Sequence, residues 1–186
     1  MKKGMIFAPT MLLRKINAVI GLLTTFLLLD HAIFNAVRMM SRGTIKESGA
    51  FMPRILFGLM LAHAVISIYF AITAHSETEK RKCKSYPKLN VATIFQRISG
   101  IILIVFTGLH VAGAAGFMHL PKPVHAIFHP LFFTLALAHA AFSTSKAFIT
   151  LGIGNARIIK VVDIVIKVIC TATIIAALTG FYLYIV

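Results

Sequence analysis

Five apolar stretches, at residues 16–37, 54–74, 91–116, 124–151 and 158–186, take up nearly the whole chain. Each is long enough to cross a hydrocarbon core of about 30 Å, which takes about 20 helical residues. Backbone N–H and C=O groups in lipid have no water to bond, so each stretch must satisfy its own, and a helix does so within one segment. The sequence therefore predicts an all-α integral membrane protein, a five-transmembrane-helix bundle forming a single membrane domain over residues 1–186. Composition argues against a soluble fold. With 59% of residues hydrophobic and 13% charged, the chain has too little polar surface to face water.

The formal net charge of +14 could point to nucleic acid, but the basic residues sit at the ends of the apolar stretches. Lys2, Lys3, Arg14 and Lys15 precede the first span, and Lys80, Arg81, Lys82, Lys84 and Lys88 follow the second. Lys146, Arg157, Lys160 and Lys167 bracket the fourth connection, whereas the other side has Arg38, Arg42, Lys46, Arg54 and Lys122. The positive-inside rule then predicts a multi-pass protein of the cytoplasmic membrane with its N-terminus in the cytoplasm and its C-terminus outside. The excess charge would also attract anionic lipid or an acidic partner subunit. The first span reads as a permanent helix and not a cleaved signal, since it is long and carries Asp30 and His31. Cys83 falls in a cytoplasmic loop and Cys170 within the fifth span, so no structural disulfide is expected. Two isolated cysteines also fall short of the four thiolates that an iron–sulphur cluster takes.

Polar side chains inside lipid are costly and mark functional sites. Of the eight histidines, His75, His119, His125 and His129 lie at or near span ends, where interfacial water can satisfy them. The other four, His31, His63, His110 and His139, lie well inside the first four spans, one on each. At a rise of ~1.5 Å per residue, His31 is about 22 Å and His110 about 28 Å from the cytoplasmic ends of their helices. His63 and His139, on helices running the other way, are about 17 Å and 18 Å from theirs. The set divides into an outer pair, His31 and His110, and an inner pair, His63 and His139. A six-coordinate haem takes two axial ligands at one level, so these pairs predict two b haems stacked across the membrane.

Internal repetition supports the pairing. Leu59-Met-Leu-Ala-His-Ala-Val-Ile-Ser67 and Leu135-Ala-Leu-Ala-His-Ala-Ala-Phe-Ser143 repeat leucine, alanine and serine at the same offsets from histidine. Gly21 precedes His31 by ten residues, and Gly100 precedes His110 by ten. Glycine admits a flat macrocycle, or equally a neighbouring helix, close to the backbone. The competing account, that each histidine simply bonds a hydroxyl or carbonyl across the bundle, explains one such residue more easily than four at two levels.

With these residues assembled, the chain resembles the cytochrome b membrane anchor of succinate dehydrogenase and fumarate reductase, in its single-subunit, two-haem class. The likeness covers nearly the whole length. It rests on Arg14-Lys-Ile-Asn-Ala-Val-Ile-Gly21, on His31 followed by Asn35, and on Ala62-His-Ala-Val continuing to Tyr69-Phe-Ala-Ile-Thr73. It rests further on Gln96-Arg-Ile-Ser-Gly-Ile-Ile102 leading to His110, and on His139 running on to Ile149-Thr-Leu-Gly-Ile153. The resemblance implies the same ligand pairs, with His63 and His139 on the haem nearer the catalytic subunits. It also implies a flavoprotein that interconverts succinate and fumarate, and an iron–sulphur subunit on the cytoplasmic face. Electrons would pass between that subunit and a membrane quinone, menaquinone in this class. Quinone chemistry would then belong to this chain and dicarboxylate chemistry to the flavoprotein. Some members carry a glutamate two residues before the fourth ligand as a proton path. Leu137 stands there here, so electron transfer without compensating proton transfer is expected.

Haem propionates need cations or donors, and Asn17, Gln96, Arg97, Ser99 and Lys146 near the cytoplasmic ends of the ligand helices are the candidates. Glu47, Arg38, His119 and His125, toward the outer side, are the candidates for quinone. Asp30, one residue from His31, is turned roughly 100° from the ligand face. Asp163 and Lys167, at i,i+4, read as a structural ion pair. Two rival functions remain: a stand-alone cytochrome b561-like electron carrier, which would have no dehydrogenase subunits, and a haem-free transporter or scaffold, which would show no Soret band.

Overall fold

A computed structural model describes residues 7–41, 51–81, 91–119 and 121–185. Five helices make up these residues in chain order: α1 (Phe7–Met40), α2 (Phe51–Arg81), α3 (Val91–Ala114), α4 (Lys122–Leu151) and α5 (Ala156–Ile185). All five are long and apolar enough to cross a membrane. They overlap the five expected stretches, but α1 and α2 run further, because helix continues into the flanking polar sequence after hydropathy falls. Glu47 and Cys83 lie outside the described residues.

The turns follow from local chemistry. α4 stops where Gly152 adopts a left-handed conformation, φ 73°. Its N–H donates to the Ile149 carbonyl and that of Ile153 to the Phe148 carbonyl, each at 3.1 Å. That pair of bonds satisfies helix-end carbonyls which lipid could not. Gly116, φ 77°, ends α3 in the same manner, with Phe117 donating to the Ala112 carbonyl at 2.9 Å. Asn155 then starts α5: its Oδ1 accepts the Ile158 N–H at 3.0 Å.

α1 and α4 form the centre. They pack on each other and both pack on α5, while α2 lies against α1 and α3 against α4. Small residues make the central contacts, among them Ala32, Ala36, Ala136, Ala140 and Ala141. Such residues let membrane helices approach closely. α1 and α5 approach closely at Gly180, where a Cβ would lie 2.8 Å from the Ala36 carbonyl oxygen. Two apolar clusters complete the core. One joins Ala32, Leu137, Ala141 and Cys170, and the other joins Leu103, Phe128, Phe132 and Ala136. Leu137 is thus wholly buried among apolar neighbours. Among the described residues, α1 has no extended packing with α3, nor α2 with α4.

Candidate functional site: two histidine levels

Among the described residues five of the ten helix pairs have no extended packing, and two of these, α1 with α3 and α2 with α4, carry the two expected histidine couples. At the first level, toward the N-terminal end of α1, the bare backbone of α1 faces His63. A Cβ on Gly21 would lie 3.1 Å from Cε1 and 3.4 Å from Nδ1 of that ring. α3 treats His139 likewise, with a Cβ on Gly100 reaching 3.4 Å from its Cε1. Each glycine therefore stands beside the imidazole of the neighbouring helix, and His63 and His139 lie within electrostatic reach of one another.

Ser99 orients His139. Its Oγ is 2.8 Å from His139 Nδ1, and the residue is 2% exposed. The same hydroxyl donates to the Gln96 carbonyl at 3.3 Å. With Nδ1 of His139 engaged by Ser99, Nε2 is the ring nitrogen left for another partner, and a metal-ligating imidazole ordinarily has its second nitrogen held in this way. His63 Nδ1 is buried, and the Asn17 backbone lies beside its ring.

Beyond this level, toward the same end, lie the remaining polar candidates. Lys146 Nζ donates to Gln96 Oε1 at 2.6 Å and to Thr93 Oγ1 at 3.1 Å, bridging α4 to α3. Asn17 Nδ2 donates to Ser67 Oγ at 3.2 Å, bridging α1 to α2. Its Oδ1 is buried and unpaired. Arg97 is exposed. Of the five propionate candidates, Ser99 bonds the histidine itself, while Gln96 and Lys146 bond each other.

The second level is built around His110. Its ring lies 5.0 Å from that of Phe132 and 5.7 Å from that of His129, and its Nδ1 is buried and unpaired. His31, His125 and His129 all lie within electrostatic reach of it. Asn35, one turn beyond His31, donates to the His31 carbonyl at 2.7 Å and holds its amide 3.3–3.4 Å from both ring nitrogens. Gly21 to His31 and Gly100 to His110 are ten residues each, so the two levels are about 15 Å apart along the helices.

His129 escaped the sequence reading, which left it to interfacial water. The structure sets it against His125, ring centres 3.9 Å apart and tilted by 32°, and both face Phe181 of α5 at 6.2 Å. The i,i+4 spacing of the two histidines on one helix face was the available signal. Of the quinone candidates, His125 joins this cluster, Arg38 is half-buried near the end of α1, and His119 is exposed in the α3–α4 connection. Asp163 and Lys167 form the expected ion pair at 2.6 Å.

Two imidazoles on helices without extended packing could together hold a metal cofactor that takes two axial ligands. Compared with family models, curated proteins and solved structures, the chain matches none. Among the described residues no three His, Cys, Asp or Glu side chains are placed to hold a metal ion together. A bis-histidine site takes two.

Proposed function

We propose that this chain is the dihaem cytochrome b anchor of a succinate:quinone oxidoreductase or quinol:fumarate reductase. The observation that carries the reading is the arrangement of four intramembrane histidines as two couples on unpacked helix pairs. The fit to the cofactor is chemical as well as positional. Ser99 engages Nδ1 of His139 and so leaves Nε2 for a metal, the Nδ1 of His110 is buried and unpaired, and Gly21 and Gly100 leave room for the His63 and His139 rings. The sequence resemblance to the single-subunit, two-haem class supplies the physiological context.

His63 and His139 would hold the inner haem b, and His31 and His110 the outer. When bound, these groups supply one-electron redox centres at two depths. The rest falls to the chain's own residues. Ser99 holds Nδ1 of His139 and so turns its Nε2 to the iron. Phe132 and Phe128 exclude water beside His110. Lys146, Gln96, Arg97 and Asn17 lie at the end where anionic propionates would need donors. Arg38, His125 and His129 occupy the other end, where a quinone such as menaquinone would exchange protons, and Glu47 on the adjoining connection is a further candidate. Leu137 is packed in an apolar cluster, so proton return through that position has no carrier. Arg14, Lys15, Arg157 and Lys160 are exposed at the first-level end, a basic surface suited to an iron–sulphur subunit with its flavoprotein.

Affinity purification in mild detergent tests the assignment. Flavin- and iron–sulphur-bearing subunits should accompany the chain, and succinate should reduce its b-type absorbance. Purification as a lone pigmented chain would favour the stand-alone carrier, and a colourless one the transporter or scaffold.

A further inference from the structure

His125 and His129, which the haem assignment leaves unused, stand one turn apart on the same face of α4. His125 is exposed and His129 half-buried, about 5 Å and 11 Å from the Lys122 end of the helix. With ring centres 3.9 Å apart and planes tilted by 32°, one edge of each ring lies nearer the other than the centres do. His129 Nδ1 is 3.3 Å from the His125 carbonyl oxygen. A carbonyl oxygen only accepts, so Nδ1 donates and Nε2 is left free, and a metal-ligating imidazole ordinarily has its second nitrogen held in this way. Among the described residues the His125 ring makes no hydrogen bond.

We propose that His125 and His129 together chelate a divalent transition-metal ion such as Zn²⁺ or Cu²⁺. Two histidines at i,i+4 on one helix face turn both rings to a single ion, the arrangement that helical zinc sites use. With Zn–N bonds of about 2.0–2.1 Å, a tetrahedral ion spans two nitrogens about 3.3 Å apart, close to the ring spacing here. Phe181 faces both rings at 6.2 Å and Phe128 meets the His129 ring edge-on at 5.2 Å, so an ion would enter from the His125 side. Water would take the remaining positions. Imidazole donors favour Zn²⁺, Cu²⁺ and Ni²⁺ over Mg²⁺ and Ca²⁺, which take oxygen ligands. Occupation would withdraw both rings from proton exchange with a quinone; that consequence rests on the function proposed above, whereas the site itself does not.

Zn²⁺ binding to the purified full-length chain, isolated without a histidine tag and measured by competition with a chromophoric chelator, tests the proposal. His125→Ala and His129→Ala should each weaken binding by about tenfold or more, because losing either ring ends the intramolecular second contact. The double variant should be little weaker than either single one. Val124→His combined with His125→Val keeps the number of histidines but moves one off the shared face, and it should lose binding equally. His119→Ala, in the neighbouring connection, should bind as the unaltered chain does. Cu²⁺ in place of Zn²⁺ should give an EPR spectrum with two nitrogen ligands, reduced to one in His125→Ala, a variant whose exposed position leaves the fold intact. Unaltered affinity in His125→Ala, full binding by the shifted pair, or a single-nitrogen Cu²⁺ spectrum from the unaltered chain would each overturn the proposal.

Discussion

Ser99 shares its single hydroxyl between two neighbours, the Gln96 carbonyl and Nδ1 of His139. With Nδ1 so engaged, Nε2 is the nitrogen left for a metal, which makes the serine a positioning residue. Ser99→Ala should therefore weaken haem retention by about 10–100-fold, the usual loss when a ligand's hydrogen-bond partner is removed. Ser99→Thr, which keeps the hydroxyl, should restore it; retention can be read by titrating haem into the purified apoprotein. The ligands themselves have a sharper signature. His63→Ala or His139→Ala should remove one haem of two and uncouple quinone reduction from the dicarboxylate, and full retention of both would reject that couple. The four histidines were legible in the sequence because lipid makes any buried imidazole conspicuous. The Ser99 bond was not: a serine near a helix end has many possible partners, and the sequence reading gave it to a propionate.

The helices owe their spacing to where side chains are missing. Gly21→Ala would push a Cβ to 3.1 Å from the His63 ring, whereas alanine at Gly58 or Gly108 would meet nothing within 4 Å. The first substitution should shift or abolish the inner b band and the other two should leave the spectrum unchanged. Gly180→Ala sets a Cβ 2.8 Å from a backbone oxygen of α1. Forcing those helices apart should cost about 1–3 kcal/mol, measurable by unfolding in mixed micelles. Helix number and order could be read from apolar length alone, since the bilayer fixes both. The partner each glycine faces could not. Sequence tied Gly21 to His31 and Gly100 to His110 on the same helices, but packing sets them against His63 and His139 of the neighbours. That arrangement depends on which helices touch, and periodicity within a single segment does not report it.

At the scale of the whole molecule, α1 and α4 form a packed spine with α5, and the remaining two helices leave the diagonal couples separated. Charge asymmetry predicts that spine's orientation: a reporter fused to the N-terminus should be cytoplasmic and one fused to the C-terminus should be outside. His129 shows what the sequence withheld at this scale, because its approach to His110 and Phe181 depends on the docking of α3 and α5 on α4. The central claim is that His63 with His139, and His31 with His110, each grip one haem. A pyridine haemochrome assay on the purified complex, with the chain quantified by amino-acid analysis, measures this directly. The account predicts b-type haem at two per chain; a colourless protein, or a ratio of one, would contradict it.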